Sequence, residues 1–504
     1  MVRGSYLVND SAIRSLSRRR FRAKGPGATF KPNPPDTERR PDVPTPATTM
    51  PISPARKIAY DVLRRVEGEG AYASDLLHAE LGARVKPPDA ALATELTLGV
   101  LRQRRLLDFL LERHLEKTVE RLDLPVALAL RMGAYQLRFL QRIPASAAVN
   151  ESVELVKKAR KTSASSLVNA VLRRVAEESK VPAGKLFAAD MAAAERLAIL
   201  HSHPAWMVER WLARLGEART IALLEADNRT PRLSCALSDP TQRQEIFRAL
   251  EQAGLHVEAG TLLRNAFAVS GGSASRTAEF RAGRISIQDE ASQAIPLVLG
   301  VRGGDRVLDL CAAPGGKTQS LARAAGSQGL VVAADLHGHR LRAMAAQLDR
   351  LGLSNVCLVQ LDATQNLPFG ARFDRILIDA PCSGTGTLAR HPEIRWRLRP
   401  EQFAEFHALQ AQMLRVALAH LAPGGRLVYS TCTIEPEENE DVIAEILRDA
   451  SGVSRVPPDE MIETLAPDLA DGMSASALFD DAGQFRTLPG QRQTDGFFAA
   501  SLQI

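Results

Sequence analysis

Cysteine is scarce in this chain, five in 504 residues: Cys235, Cys311, Cys357, Cys382 and Cys432. The number is odd and the spacings are wide, which excludes a disulfide framework, and no Cys-x-x-Cys pair suggests zinc, so no metal site is expected. A reducing, cytosolic compartment fits this usage, and a cytoplasmic protein is expected. Long apolar runs are missing as well. No stretch approaches the ~18 consecutive apolar residues of a membrane span, and no apolar core of a secretory signal is present. The longest runs, such as 295–301, suit buried strands or helix faces. There is no internal repeat. Charge of one sign is also absent from most of the chain. Residues 1–50 carry a net +6, and +6 is the charge of the whole chain, so the remainder sums to zero. The basic isoelectric point therefore says little about nucleic acid, and local patches must carry that argument.

What is present suits a globular protein of two to four domains, with 45% hydrophobic and 24% charged residues. Residues 1–50 are rich in Arg, Ser, Pro and Thr and show no hydrophobic period, so a disordered basic tail is expected there. Residues 11–24, Arg- and Ser-rich without acids, also suit an organelle targeting peptide, and Met50 suits a later start. From 54 to 178 apolar residues recur at helical spacing: Ile58, Val62, Leu63 and Val66, then Leu96, Val100, Leu101 and Leu106, then Leu167, Val168, Val171, Leu172 and Val175. Ser165-Ser166 is a candidate cap for the last of these. An all-α bundle of about seven helices is expected over 51–180. Residues 181–285 read as a helical linker, with a helix start after Pro204 packed by Trp206 and Trp211. A small α/β unit follows, with strands at 233–237 and 266–270 and a helix near 241–253.

From 286 to 504 strands and helices alternate. Strands read at 306–310, 330–334, 355–359, 373–378 and 425–430, and helices at 316–325, 338–351, 401–421 and 437–448. Right-handed crossovers then give a doubly wound, mostly parallel, Rossmann-like sheet with its ligand at the carboxyl ends of the strands. After the first strand comes Asp309-Leu-Cys-Ala-Ala-Pro-Gly-Gly-Lys-Thr318. Glycines let backbone approach a ligand, and the following helix offers free N–H groups. A P-loop is excluded, since Cys311 stands where its first glycine belongs, and the two adjacent glycines do not make a dinucleotide fingerprint. A Gly-Gly turn alone is commonly just a turn. Asp335, at the next strand end, suits the two ribose hydroxyls of a nucleoside, and Asp362, after the third strand, suits an adenine amine. Singly, each acid reads more readily as a cap or a loop residue; at consecutive strand ends they gain weight.

The fourth strand ends in Asp379-Ala-Pro-Cys-Ser-Gly384 and the fifth in Tyr429-Ser-Thr-Cys-Thr433. These strands can be neighbours, so Cys382 and Cys432 can face one pocket. A lone cysteine is usually a small buried hydrophobe, the reading given to Cys235 and Cys357, with Cys311 left open. Carbon 5 of cytosine is too poor a nucleophile to take a methyl group unaided. A thiolate added at carbon 6 makes the ring an enamine and carbon 5 nucleophilic. An ordinary thiol is mostly protonated at neutral pH, so the site must lower its pKa or supply a base. Asp379 is a candidate contact to the cytosine N3 and amine.

These three motifs resemble those of the Sun-type RNA cytosine-5 methyltransferases, as do Ser286-Ile-Gln-Asp-Glu-Ala-Ser-Gln293 before the core and the closing Thr494-Asp-Gly-Phe-Phe498. The likeness covers roughly 200–504. Residues 54–178 more loosely resemble the RNA-binding antitermination factor NusB, through Ala147-Ala-Val-Asn-Glu-Ser-Val153 and Leu167-Val-Asn-Ala-Val-Leu-Arg173. Together they point to the bacterial ribosomal RNA small subunit methyltransferase B subgroup. The resemblance implies S-adenosylmethionine as cofactor, held by Cys311, Ala312, Ala313, Pro314, Gly315, Gly316, Lys317, Asp335, Asp362 and Asp379. It implies Cys432 as the nucleophile, Cys382 as the residue that assists product release, and small-subunit ribosomal RNA as partner. The residues alone do not rank the two cysteines.

Residues 390–399 hold four arginines and Trp396 beside the fourth-strand motif. Arg390, Arg395 and Arg397 with Trp396 are expected to contact RNA phosphates and bases, against the alternative of a solvated loop with a packed Trp. Arg102, Arg104 and Arg105 form a weaker patch. A monomer is the default expectation. Two rival readings remain: a methyltransferase acting on an exocyclic amine, and a non-catalytic RNA-binding or antitermination protein.

Overall fold

The computed structural model describes residues 52–82 and 85–504; the expected tail lies outside the described residues. Seven α-helices fill 54–178, running Pro54–Glu69, Ala73–Glu80, Pro87–Arg102, Arg104–Glu112, Leu124–Phe139, Ala145–Lys158 and Ser165–Glu178. Leu124–Phe139 is the axis of the bundle. Every residue from Val126 to Gln136 is buried, as expected of a helix apolar on all sides. Gly133 lets its neighbours close in, since a Cβ there would lie 2.4 Å from Leu172 Cδ1. Ser165 is the first residue of its helix and makes no side-chain cap bond, contrary to the expected capping role of Ser165-Ser166.

Helices Ala193–Leu200, Ala205–Leu215 and Glu217–Asn228 follow. Leu106 and Leu110 of the bundle share an apolar cluster with Ala183 and Ile199, so packing continues across the boundary expected at 180. Trp211, fully buried, belongs with Met207, Val208 and Leu223 to a cluster that takes in Leu388, Leu398, Phe403 and Ile434 of the last region. The linker thus shares a core with the last region.

A small antiparallel sheet comes next, from β1 (Leu233–Leu237), β2 (His256–Ala259), β3 (Ala266–Ser270) and β4 (Ile285–Ile287) in the order β2-β3-β1-β4. The short β2 and β4 were not marked by alternation in the sequence. The large sheet is built from β5 (Arg306–Leu310), β6 (Leu330–Asp335), β7 (Val356–Gln360), β8 (Phe373–Asp379), β9 (Leu421–Thr431), β10 (Ser454–Arg455), β11 (Phe485–Thr487) and β12 (Phe497–Gln503). Its order is β10-β12-β9-β8-β5-β6-β7, with β11 paired to β12. Strands β5 to β9 are parallel, and β12 closes the sheet antiparallel to β9. The order reverses beside β5, where β6 lies on one side and β8 on the other, so the ligand crevice opens at the carboxyl ends of these three strands. The parallel pairing of β8 and β9 sets Asp379 opposite Ser430. The helix expected at 401–421 ends at Leu418, because Leu421 already pairs with Phe373 in β9.

Candidate active site

Strand β5 delivers Asp309 and then turns sharply. Cys311 sits at φ 61°, a left-handed conformation that is strained for a non-glycine residue, and Gly315 at φ 101° opens the helix Gly316–Ala325. A Cβ at Gly315 would lie 2.9 Å from Met344 Cγ, so only glycine fits. Asp309 is fully buried; its Oδ2 accepts from Thr318 Oγ1 at 2.6 Å, and its Oδ1 is buried without a partner. Burial, partly offset by that hydrogen bond, pushes its carboxyl up to about 7. At the end of β6, Asp335 accepts from the Ala313 N–H at 3.2 Å and the His337 N–H at 2.9 Å, which ties the glycine loop to the second strand end. Asp362 is exposed, with Oδ1 accepting the Thr364 N–H at 2.9 Å and its hydroxyl at 2.7 Å. This turn with Thr364 is also what holds its carboxyl below the usual range.

Asp379 ends β8 and is the hinge of the site. Lys317 of the glycine loop donates to its Oδ2 at 2.6 Å, and Ser430 Oγ of β9 to its Oδ1 at 3.1 Å. The Lys317 ammonium also lies 5.1 Å from the centre of the Phe497 ring on β12. Three residues further, Cys382 Sγ lies 3.4 Å from Cys432 Sγ, at sulfur hydrogen-bond distance. The contact with Cys432, followed by burial, raises the Cys382 thiol well above its ordinary value. Burial, reinforced by the carboxylates of Asp379, Asp335 and Asp309, does the same to Cys311, which leaves that thiol protonated. Cys235 is buried and pushed up to about 12, the small hydrophobe expected. Cys357 is exposed instead, because β7 is an edge strand.

The structure places the four residues expected to contact RNA in bonds within the protein, and only Arg395 is wholly buried. Arg395 donates to the carbonyls of Ser202, Asp227 and Leu388 and to Asn228 Oδ1. Arg390 is held by Asp289 at 2.7 Å and Asp495 at 2.6 Å. Trp396 donates its indole N–H to Leu101 O at 2.7 Å, and Arg397 donates to Val66 O and Ala71 O. Arg395, Trp396 and Arg397 thus join the last region to the helical bundle and the linker, and Arg390 is held within the last region. Among the weaker patch, Arg102 donates to Ala389 O, Arg104 lies 5.4 Å from the centre of the Trp396 ring, and Arg105 is paired with Glu195. Apart from Leu388, the partners of the four residues' donors lie more than a hundred residues away in sequence, so local composition gives no sign of them.

Sequence reasoning passed over Glu438. It lies in the acidic run Glu435-Pro-Glu-Glu-Asn-Glu440, whose charge suggests a solvated helix start, yet Glu435, Glu438 and Asn439 are fully buried. The available signal was position, directly after the fifth-strand motif.

The cofactor chemistry fits this crevice: a strained backbone turn that only glycine completes, acids at successive strand ends, and an unpartnered buried oxygen on Asp309. Fold and loop together define an S-adenosylmethionine-dependent methyltransferase. Residues 296–503 match the family described as 16S rRNA methyltransferase RsmB/F, residues 53–177 the NusB family, and residues 203–274 the RsmF/B-like ferredoxin-like domain. The chain is 33% identical over 455 residues to the probable ribosomal RNA small subunit methyltransferase B of Synechocystis sp., covering 89% of this chain and 99% of that one. It is 32% identical to the Bacillus subtilis protein described in the same words, covering 89% and 98%. The crystal structure of PH0851 superposes with a TM-score of 0.74 at 25% identity, covering 90% of this chain and 99% of that one. The chain belongs to the ribosomal RNA small subunit methyltransferase B family. Among the described residues no helix is long and apolar enough to cross a membrane.

Proposed function

We propose that this enzyme methylates carbon 5 of a cytosine in small-subunit ribosomal RNA through a covalent adduct to Cys432. The observation that carries the reading is the 3.4 Å approach of two thiols from adjacent strand ends, three residues from Asp379. A transfer to an exocyclic amine needs no thiol, and an inert RNA-binding protein needs neither thiol nor an acid-lined glycine loop.

Residues 311–317 would hold the cofactor, with Asp335 binding the ribose hydroxyls and Asp362 the adenine amine. When bound, S-adenosylmethionine supplies an electrophilic methyl group. Cys432 as thiolate forms a bond to carbon 6, and the electrons of the carbon 5–carbon 6 double bond move to carbon 5, which becomes the nucleophile. Asp379 holds the N3 and amine edge of the ring, and Lys317 and Ser430 hold Asp379. After carbon 5 is methylated, a base takes the carbon 5 proton, its bonding electrons restore the double bond, and Cys432 departs as thiolate, a release that Cys382 assists. The target base must leave its stack to reach this crevice.

The test replaces Cys432 and Cys382 separately with Ala and follows labelled methyl transfer to unmodified small-subunit RNA, with bisulfite mapping and denaturing gels. Cys432→Ala is expected to abolish transfer, and Cys382→Ala to leave a covalent protein–RNA adduct. Full activity in both variants, or a methyl group off carbon 5, would overturn the reading.

A further inference from the structure

One carboxylate, outside the crevice and unused by the reaction above, touches both cysteine-bearing turns. Glu438 follows β9 at the start of the helix Glu440–Asp449 and is fully buried. Its Oε2 accepts the Ser383 N–H at 2.8 Å and the Gln410 amide at 3.0 Å. Its Oε1 accepts the Ser383 hydroxyl and, at 3.1 Å, the Thr433 hydroxyl. Ser383 is the residue after Cys382, and Thr433 the residue after Cys432. The two hydroxyls are also within 2.8 Å of each other.

The surroundings make Glu438 itself immobile. Tyr429 donates its hydroxyl to the Glu438 carbonyl at 2.6 Å. Next door, Asn439 accepts from Thr431 Oγ1 at 2.6 Å and donates to Thr433 O at 3.0 Å, so the turn that carries Cys432 is held on both sides. The Cys382 turn has the N–H and the hydroxyl of Ser383 as its grips on the same carboxylate.

We propose that Glu438 is a positioning residue for the two-cysteine site: its carboxylate ties the turn of Cys382 to the turn of Cys432 and so sets the separation of their sulfur atoms. This rests on the two-cysteine reading of the site. Once the ladder stops, the two turns also meet where the Gly386 N–H donates to Cys432 O at 2.9 Å and where the Thr385 and Thr433 hydroxyls lie 2.8 Å apart, but Glu438 is the tie at the residues that directly follow both cysteines, and thiols that must act in succession on adjacent ring carbons tolerate little drift. Burial raises the Glu438 carboxyl, yet the two partners of Oε2 can only donate. An uncharged amide satisfies the same partners, because its oxygen accepts from Ser383 N and Gln410 while its nitrogen donates to the two hydroxyls, which can rotate to accept. Geometry rather than charge is therefore the function assigned to this residue.

The experiment uses the full chain and compares Glu438→Asp, one methylene short of spanning both turns, with Glu438→Gln. The first measurement needs no RNA: the rate at which a short bifunctional thiol-alkylating reagent bridges Cys382 and Cys432, read by peptide mass. The second is steady-state methylation. Glu438→Asp is expected to slow bridging at least about 10-fold and to lower kcat about 100-fold, since small misplacements of reacting groups carry costs of that order, with KM for S-adenosylmethionine nearly unchanged. Glu438→Gln is expected to recover most of both losses. If Glu438→Asp does not fold, the double variant Ser383→Ala, Thr433→Val cuts the same bridge and is read in the same way. Wild-type bridging and turnover in Glu438→Asp would overturn the proposal, as would a Glu438→Gln variant as impaired as Glu438→Asp. The Cys432→Ala and Cys382→Ala variants run alongside: full activity there defeats the two-cysteine reading, while the bridging rates still decide whether Glu438 sets the distance.

Discussion

Arg395 donates to the main-chain carbonyl of Asp227 at 3.0 Å, and both residues are wholly buried. A guanidinium held by four acceptors inside the protein cannot also meet a phosphate. Arg395→Met is therefore expected to leave several buried acceptors unpaired, at roughly 1–3 kcal/mol each, and to lower the melting temperature clearly. The salt dependence of RNA binding should not change. A phosphate-contacting arginine would do the reverse, reducing the salt slope by about one with little effect on melting. Calorimetric melting and filter binding at several salt concentrations separate the two.

The buried carboxyl of Asp309 gives stability a definite pH dependence. Its folded pKa, raised to about 7 by burial, lies above the ordinary aspartate value of about 4. Between those values the folded state keeps a proton that the unfolded state has lost, so stability falls as pH rises from about 4 to about 7. Asp309→Asn removes that proton linkage. The melting temperature of the cofactor-free variant is expected to fall less steeply across this window than that of the wild type. Part of the slope should persist, because burial also raises Asp227 and Asp495 to about 7.

Gly386 ties two turns together: its N–H donates to Cys432 O at 2.9 Å and its carbonyl accepts the Gly496 N–H at 2.8 Å. A Cβ there would lie 2.2 Å from Gly496 O and 2.8 Å from Cys432 O. Gly386→Ala must displace one of those turns, at about 1–3 kcal/mol of overpacking. Single-turnover methylation should fall by about 10-fold or more, because the main-chain carbonyl of Cys432, the proposed nucleophile, is one of the two atoms in the way. Wild-type turnover in this variant would show that the Cys432 turn yields without consequence.

Much of this was legible along the chain. The strands β5 to β9 announce themselves as short apolar runs ending in acids or cysteines, and the helical bundle as stripes at 3.6-residue spacing, because burial of one face writes its period into the sequence. The strand-end rule places the glycine loop, Asp335, Asp379, Cys382 and Cys432 at one edge of the sheet. The antiparallel β10 and β11 and the small β2 and β4 left weak signals, since two to four residues cannot establish a period.

The sequence by itself determined the domain types and the methyltransferase class, through motifs of neighbouring residues and their resemblance to a known family, and it named the candidate residues of the site. Only the tertiary structure decided which charged side chains are free. Arg395 and Glu438 stand in runs of like charge that suggest solvent, yet both are buried on partners from distant elements or facing turns. The cost of burying a charge is met by hydrogen bonds whose partners the chain brings together only on folding, so local composition carries no trace of them.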